Sequence, residues 1–216
     1  MAKNSNWSDD YWLLVLQLYL SKPEGVKPMY SKATVNLGLE IHIQPEVIFA
    51  REREIDNLET PRLERIWETY SESPRKLSRA VKLLREMKGF NHADEFYEGV
   101  TINETFERDF RPISDEVHFT PVMLILILNL YFQLTPITMV AETPEVAELA
   151  KLIGVTPQEV AEVLQVYQIC DPYLNRNALL LSPLVEPCTD IWRRYDSIEP
   201  EQLTALASQL EEYFKK

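Results

Sequence analysis

Residues 144–160 read PEVAELAKLIGVTPQEV, and this stretch decides the fold. Thr143-Pro144 and Thr156-Pro157 each put a hydroxyl residue before a proline, the pattern of a helix start, because proline at the first helical position gives up no hydrogen bond. Gly154 lies between the two starts and permits the turn from one helix into the next. Ala150, four residues earlier, is small enough to let two helices approach, and Val160, six residues later, anchors the second helix on the first. The spacing predicts a helix-turn-helix within a tri-helical core.

Outward from this stretch the chain repeats itself at a shift of 112 residues. Leu13 to Leu20 falls on Ile125 to Phe132, Trp7-Ser8 on Phe119-Thr120, Ile41 on Ile153, Ile43 on Val155, Pro45 on Pro157 and Ile48 on Val160. Ile66-Trp67 through Tyr70 recurs as Ile191-Trp192 through Tyr195, each followed by a proline, Pro74 or Pro200, and a closing helix. The expected organisation is an all-α chain of two helical repeats, 7–88 and 119–214, joined by an acidic connector, 89–118. Ser8 and Thr120 are the expected caps of the two opening helices. In the first repeat Gly38, His42 and Ile48 hold the places of Ala150, Gly154 and Val160, so histidine stands at the turn. Residues 100–106 alternate imperfectly, a weak pattern for a short strand in the connector.

The chain has 216 residues, of which 45% are hydrophobic, enough for one large or two small cores. Its most apolar run, Val122 to Phe132, is about half the ~20 residues that cross a bilayer and contains Asn129, so a buried helix is expected. The opening residues lack the apolar core of a signal peptide, and Cys170 and Cys188 form no short metal-type pair. These features lead to the expectation of a cytoplasmic protein with no membrane partner. Net charge is −12, distributed as +1, −6 and −7 over residues 1–88, 89–118 and 119–216. Such a charge repels polyanions unless a local basic patch overrides it, so DNA is disfavoured and only the first repeat offers a basic face.

A helix that reads a DNA groove needs Arg, Lys, Asn or Gln for bases and cations for phosphate. The second helix of the 144–160 motif offers Gln158, Glu159, Glu162, Gln165 and Gln168, with no cation from Thr156 through Leu174. Its counterpart offers Arg51 and Arg53 among Glu46, Glu52 and Glu54. From Arg75 to Lys88, Leu77, Ala80, Val81, Leu84 and Met87 fall on one helical face, with Arg75, Arg79 and Lys82 opposite. Together with Arg85, Arg51 and Arg53, these cations are the candidate contacts for phosphate or for an acidic protein surface. The closing helix of the second repeat carries Glu201, Glu211 and Glu212 instead, so self-association is expected to bring Arg75, Arg79 and Lys82 near carboxylates of the connector or the second repeat, in one chain or between chains.

For catalysis the sequence offers little. No Gly-rich phosphate loop, nucleophile elbow or Cys/His pair is present, and neither a cofactor nor a small-molecule ligand is indicated. His92, Asp94, Glu95 and Glu98 could imitate metal ligands, but a hydrated acidic loop accounts for them. Trp12, Trp67, Trp192, Tyr19 and Tyr131 fit core packing.

Leu128-Asn129-Leu130-Tyr131-Phe132, Pro144-Glu145 with Glu148 through Gly154, Thr156-Pro157, Val160-Ala161 and Asp171-Pro172 together resemble the helical region preceding the catalytic domain in some bacterial HNH endonucleases. The resemblance spans about 119–173 and implies an accessory helical domain of DNA-acting enzymes. The chain departs from it in two ways. His42, His92 and His118 are scattered and form no nuclease metal cluster, and Val163 sits where the family pattern suggests lysine. The expected function is a non-catalytic binding or adaptor protein acting mainly on protein, in a DNA-related system. The alternative is a DNA-binding transcriptional regulator that uses Arg51, Arg53 and the 75–88 helix of repeat one.

Overall fold

The computed structural model describes residues 7–87, 90, 106–115, 117–174 and 182–215. Contacts divide the chain into two units, 1–103 and 104–216. Among the described residues the structure is all-α, with eleven helices and no strand, only an isolated bridge between Ser114 and Val117.

Unit 1 holds α1 (Trp12–Tyr19), α2 (Lys32–Ile41), α3 (Pro45–Asp56), α4 (Pro61–Tyr70) and α5 (Pro74–Glu86). Five of the eight residues of α1 are buried, Trp12, Leu14, Val15, Leu16 and Leu18, so that helix needs cover on several sides. It receives cover from α2, α3 and α5. Helix α5 contributes Leu77, Val81 and Leu84 at the i, i+4, i+7 spacing of one helical face, whereas Met87, expected on that face, is 58% exposed. The helix ends at Glu86, and Met87 has extended backbone that turns its side chain off the stripe.

Unit 2 holds α6 (Phe106–Asp109), α7 (Pro121–Gln133), α8 (Pro144–Ile153), α9 (Pro157–Cys170), α10 (Val185–Tyr195) and α11 (Pro200–Leu210). Helix α7 buries nine of its thirteen residues and is apolar all round. Such a helix belongs in the centre of a bundle. Helices α8, α9, α10 and α11 surround it, and its Asn129 accepts a hydrogen bond from the Thr204 hydroxyl on α11. The dividing point falls inside the stretch read as a connector, and the second half of that stretch packs in unit 2. Phe110 is buried against Tyr213, and Arg194 grips Asp109 through both terminal nitrogens. Of residues 100–106, only Phe106 is described, and it opens α6.

Some residues that align at a shift of 112 have like environments and others do not: Ile43 is buried and Val155 half-buried, Leu20 half-buried and Phe132 exposed. Leu16 and Leu128, Ile41 and Ile153, and Ile48 and Val160 are all at most 4% exposed. His42 closes α2 at φ 55° and Gly154 closes α8 at φ 80°, both left-handed. The next amide in each, Ile43 or Val155, donates at 3.0 Å to the carbonyl of Gly38 or Ala150, closing the turn. Tyr19 and Tyr131 each send their hydroxyl to a carboxylate, Asp56 or Asp171, and meet Trp67 or Trp192 edge-on with centroids 5.9 and 5.6 Å apart.

Caps follow the sequence pattern with one exception. Thr120 accepts the amide of Met123, and Thr156 forms a reciprocal capping box with Glu159. Ser8 accepts the amide of Asp10 at the head of a short 3-10 turn before α1. Thr143 makes no side-chain cap bond, and its hydroxyl donates backward to the carbonyl of Thr138 at 2.6 Å.

Candidate functional site

The helix following the turn in unit 2, α9, is mostly core. Val160, Ala161, Val163, Leu164, Val166, Tyr167 and Gln168 are buried, and the exposed positions are Gln158, Glu162 and Gln165, one stripe at i, i+4, i+7. Two residues that the sequence offered to a partner are occupied internally. Gln168 is 3% exposed and donates to the sulfur of Met139, while Glu159 accepts the amide and hydroxyl of Thr156 and pairs with His118. The Thr156 bonds hold the Glu159 carboxyl below its ordinary value. Val163, standing where the resemblance suggests lysine, has no exposure at all.

Beside the exposed stripe runs a groove of about 290 Å³ between α9 and the 134–143 loop. Gln158, Glu162 and Gln165 form one wall, Met139, Val140 and Ala141 the other, with Ala161 between them. The loop also carries Ile137, 88% exposed. Neither the loop nor α9 contains a lysine or arginine, and Glu142 adds an exposed carboxylate next to Ala141. This surface is apolar and acidic, so it accommodates apolar and cationic groups and repels phosphate. The sequence reading missed Val140, Ala141 and Ala161 as groove residues; for Val140 and Ala141 the only signal was the apolar run in an otherwise polar loop.

In unit 1 the candidate cations of α3 fare differently from each other. Arg51 lies over the rings of Trp7 and Trp12, 4.8 and 5.4 Å from their centroids, and pairs with Glu54. A guanidinium so engaged holds the N-terminal aromatics to α3 and has little left for a partner. Arg53 is exposed, and among the described residues it forms no side-chain bond. Glu52, which the sequence placed with the surface acids around them, faces the core with no exposure. Its Oε2 accepts the backbone amide of Lys27 at 3.3 Å, and its Oε1 has no partner. Burial pushes the Glu52 carboxyl up to about 7, opposed by that amide and by the Lys27 charge. The Lys27 ammonium, itself lowered by burial, donates to the carbonyls of Tyr19, Ser21 and Pro23 and so ties the 20–31 loop to the end of α1.

On α5, Arg75, Arg79 and Lys82 are all exposed. Lys82 reaches Glu86 of its own helix at 3.8 Å, while Arg75 and Arg79 have no side-chain partner among the described residues. Arg85 is not available, since it grips Glu40 on α2 through two nitrogens, the second at 2.8 Å. Leu83 is 59% exposed. Arg75, Arg79 and Leu83 thus follow one another at four-residue steps along one exposed side of α5, a basic row continuing into an apolar one, with Met87 exposed just past the helix end.

Among the described residues no three of His, Cys, Asp and Glu meet as metal ligands, and His92, Asp94, Glu95 and Glu98 lie outside the described residues. Cys170 and Cys188 are free thiols, both raised by burial, Cys188 to about 12. No described helix is long and apolar enough to cross a membrane. No family model matches this chain, and neither a curated protein nor a solved structure matches it.

Proposed function

We propose that the chain is a non-catalytic helical binding protein, built from two copies of one unit, whose turn-linked helix pairs contact protein. The observation that carries this reading is the solvent face of α9. Gln158, Glu162 and Gln165 border an apolar groove, and the acidic rim has no cation with which to meet a phosphate backbone. The matching turns at His42 and Gly154 and the matching Tyr–Trp and Tyr–carboxylate pairs support the duplication. The resemblance to the region preceding HNH catalytic domains suggests a DNA-related system as the setting, with the helix pair kept as scaffold and its phosphate contacts replaced.

Titration of the full chain into labelled random-sequence duplex, at low and at high salt, tests the reading. A protein-directed module shows no binding at low salt. Binding whose logarithm falls steeply with the logarithm of salt would overturn it in favour of a DNA-binding regulator using Arg53 and α5.

A further inference from the structure

Two unpartnered surfaces on this one chain are complementary. The end of α5 presents Arg75 and Arg79, then Leu83 and Met87 at 59% and 58% exposure. The groove beside α9 presents Glu162 between Gln158 and Gln165, facing Val140 and Ala141, with the exposed Glu142 adjoining. From Arg75 to Leu83 the helix rises about 12 Å, and from Gln158 to Gln165 about 10 Å, so row and groove match in length. A helix laid in such a groove uses apolar anchors one and two turns apart, with charge setting its direction. Leu83 and Met87 supply the anchors, and Arg79 with Lys82 supplies the charges that Glu162 and Glu142 lack. A cationic and apolar partner for the groove and an anionic and apolar partner for α5 are thus both provided by a second copy of the same chain.

We propose that the α5 row of one chain docks in the α9 groove of a second copy, Arg79 against Glu162 and Leu83 with Met87 against Val140 and Ala141. The contact joins two different surfaces, so a pair joined by one such contact retains a free groove on one chain and a free row on the other, and association continues until a ring closes. This inference rests on the reading of α9 as a protein-contacting helix and names its partner.

Sedimentation and light scattering over a wide concentration range at low salt test it, with the full chain, Arg79→Glu, Glu162→Arg, the double variant and an equimolar mixture of the two single variants. The parent should show a mass that rises with concentration past that of two chains, or settles at a closed ring, and falls when salt is added. Each single variant juxtaposes like charges and should weaken association at least tenfold. The double variant restores opposite charges in one chain. The mixture restores them between chains, and it also shows that each single variant is folded. A parent monomeric at every concentration overturns the proposal, as does association that neither single variant weakens, or loss in the single variants that neither the double variant nor the mixture repairs. A monomeric parent that also ignores duplex leaves the protein-binding reading standing, whereas steeply salt-dependent duplex binding removes that reading.

Discussion

Replacing Glu52 with glutamine should stabilise unit 1, and by more as the pH rises. Glu52 is fully buried, its Oε1 has no partner, and its carboxyl is raised from 4.5 to about 7. The unfolded chain releases this proton near the ordinary value while the folded chain keeps it to the higher one. Between the two the folded state holds the extra proton, so stability falls with rising pH by about 1.4 kcal/mol per unit. The contribution of the neutral acid is complete below the lower value and has gone above the higher, a loss of about 3 kcal/mol. Glutamine cannot ionise and keeps an oxygen for the Lys27 amide. The difference in unfolding free energy between Glu52→Gln and the parent should therefore grow from pH about 4.5 to pH about 7 and then level off. Urea unfolding followed by tryptophan fluorescence measures it, in a Trp192→Phe background, where the remaining Trp7, Trp12 and Trp67 all report unit 1. A difference that is the same at every pH would refute the assignment of Glu52 as a buried, raised acid.

Gly154→Ala should cost unit 2 about 1–2 kcal/mol by denaturant unfolding, the penalty of a left-handed L-residue alone, since a methyl group there meets nothing within 4 Å. Leu128→Ala should cost about 2–5 kcal/mol in the same assay, because its side chain has no exposure and sits on the central helix. A loss near zero would mean that α7 is not the core of its unit.

Much of the fold was legible because it rests on short-range signals. Pro45, Pro61, Pro74, Pro121, Pro144, Pro157 and Pro200 each open a helix, and the apolar run around Leu128 has no polar face to turn outward. What was not legible depends on contacts across distance. Glu52 sits in a segment rich in charges, and nothing local shows that it turns inward to an amide 25 residues earlier. Gln168 reads as a surface amide until the sulfur of Met139, 29 residues away, is brought to it. Thr143 has the sequence of a cap and spends its hydroxyl on Thr138. In the candidate site Arg75, Arg79 and Lys82 were readable as a face from periodicity alone, whereas the engagement of Arg51 with two tryptophans and of Arg85 with α2 required the tertiary packing.

The all-round apolar character of α7 also bears on how unit 2 comes into being. Helix α11, part of its cover, begins roughly 70 residues after α7 ends. At ribosomal speeds of about 5–20 residues per second, α7 spends on the order of 3–14 s translated before that helix exists. Through this interval Leu124 to Tyr131 form a greasy segment that must be shielded by something else. Unit 1, whose α1 is shorter and whose α5 is translated well before α7, is complete first. A chaperone that waits for nascent apolar helices should therefore be found on ribosome-bound chains in which α7 has emerged and α11 has not, and should leave once α11 packs on α7.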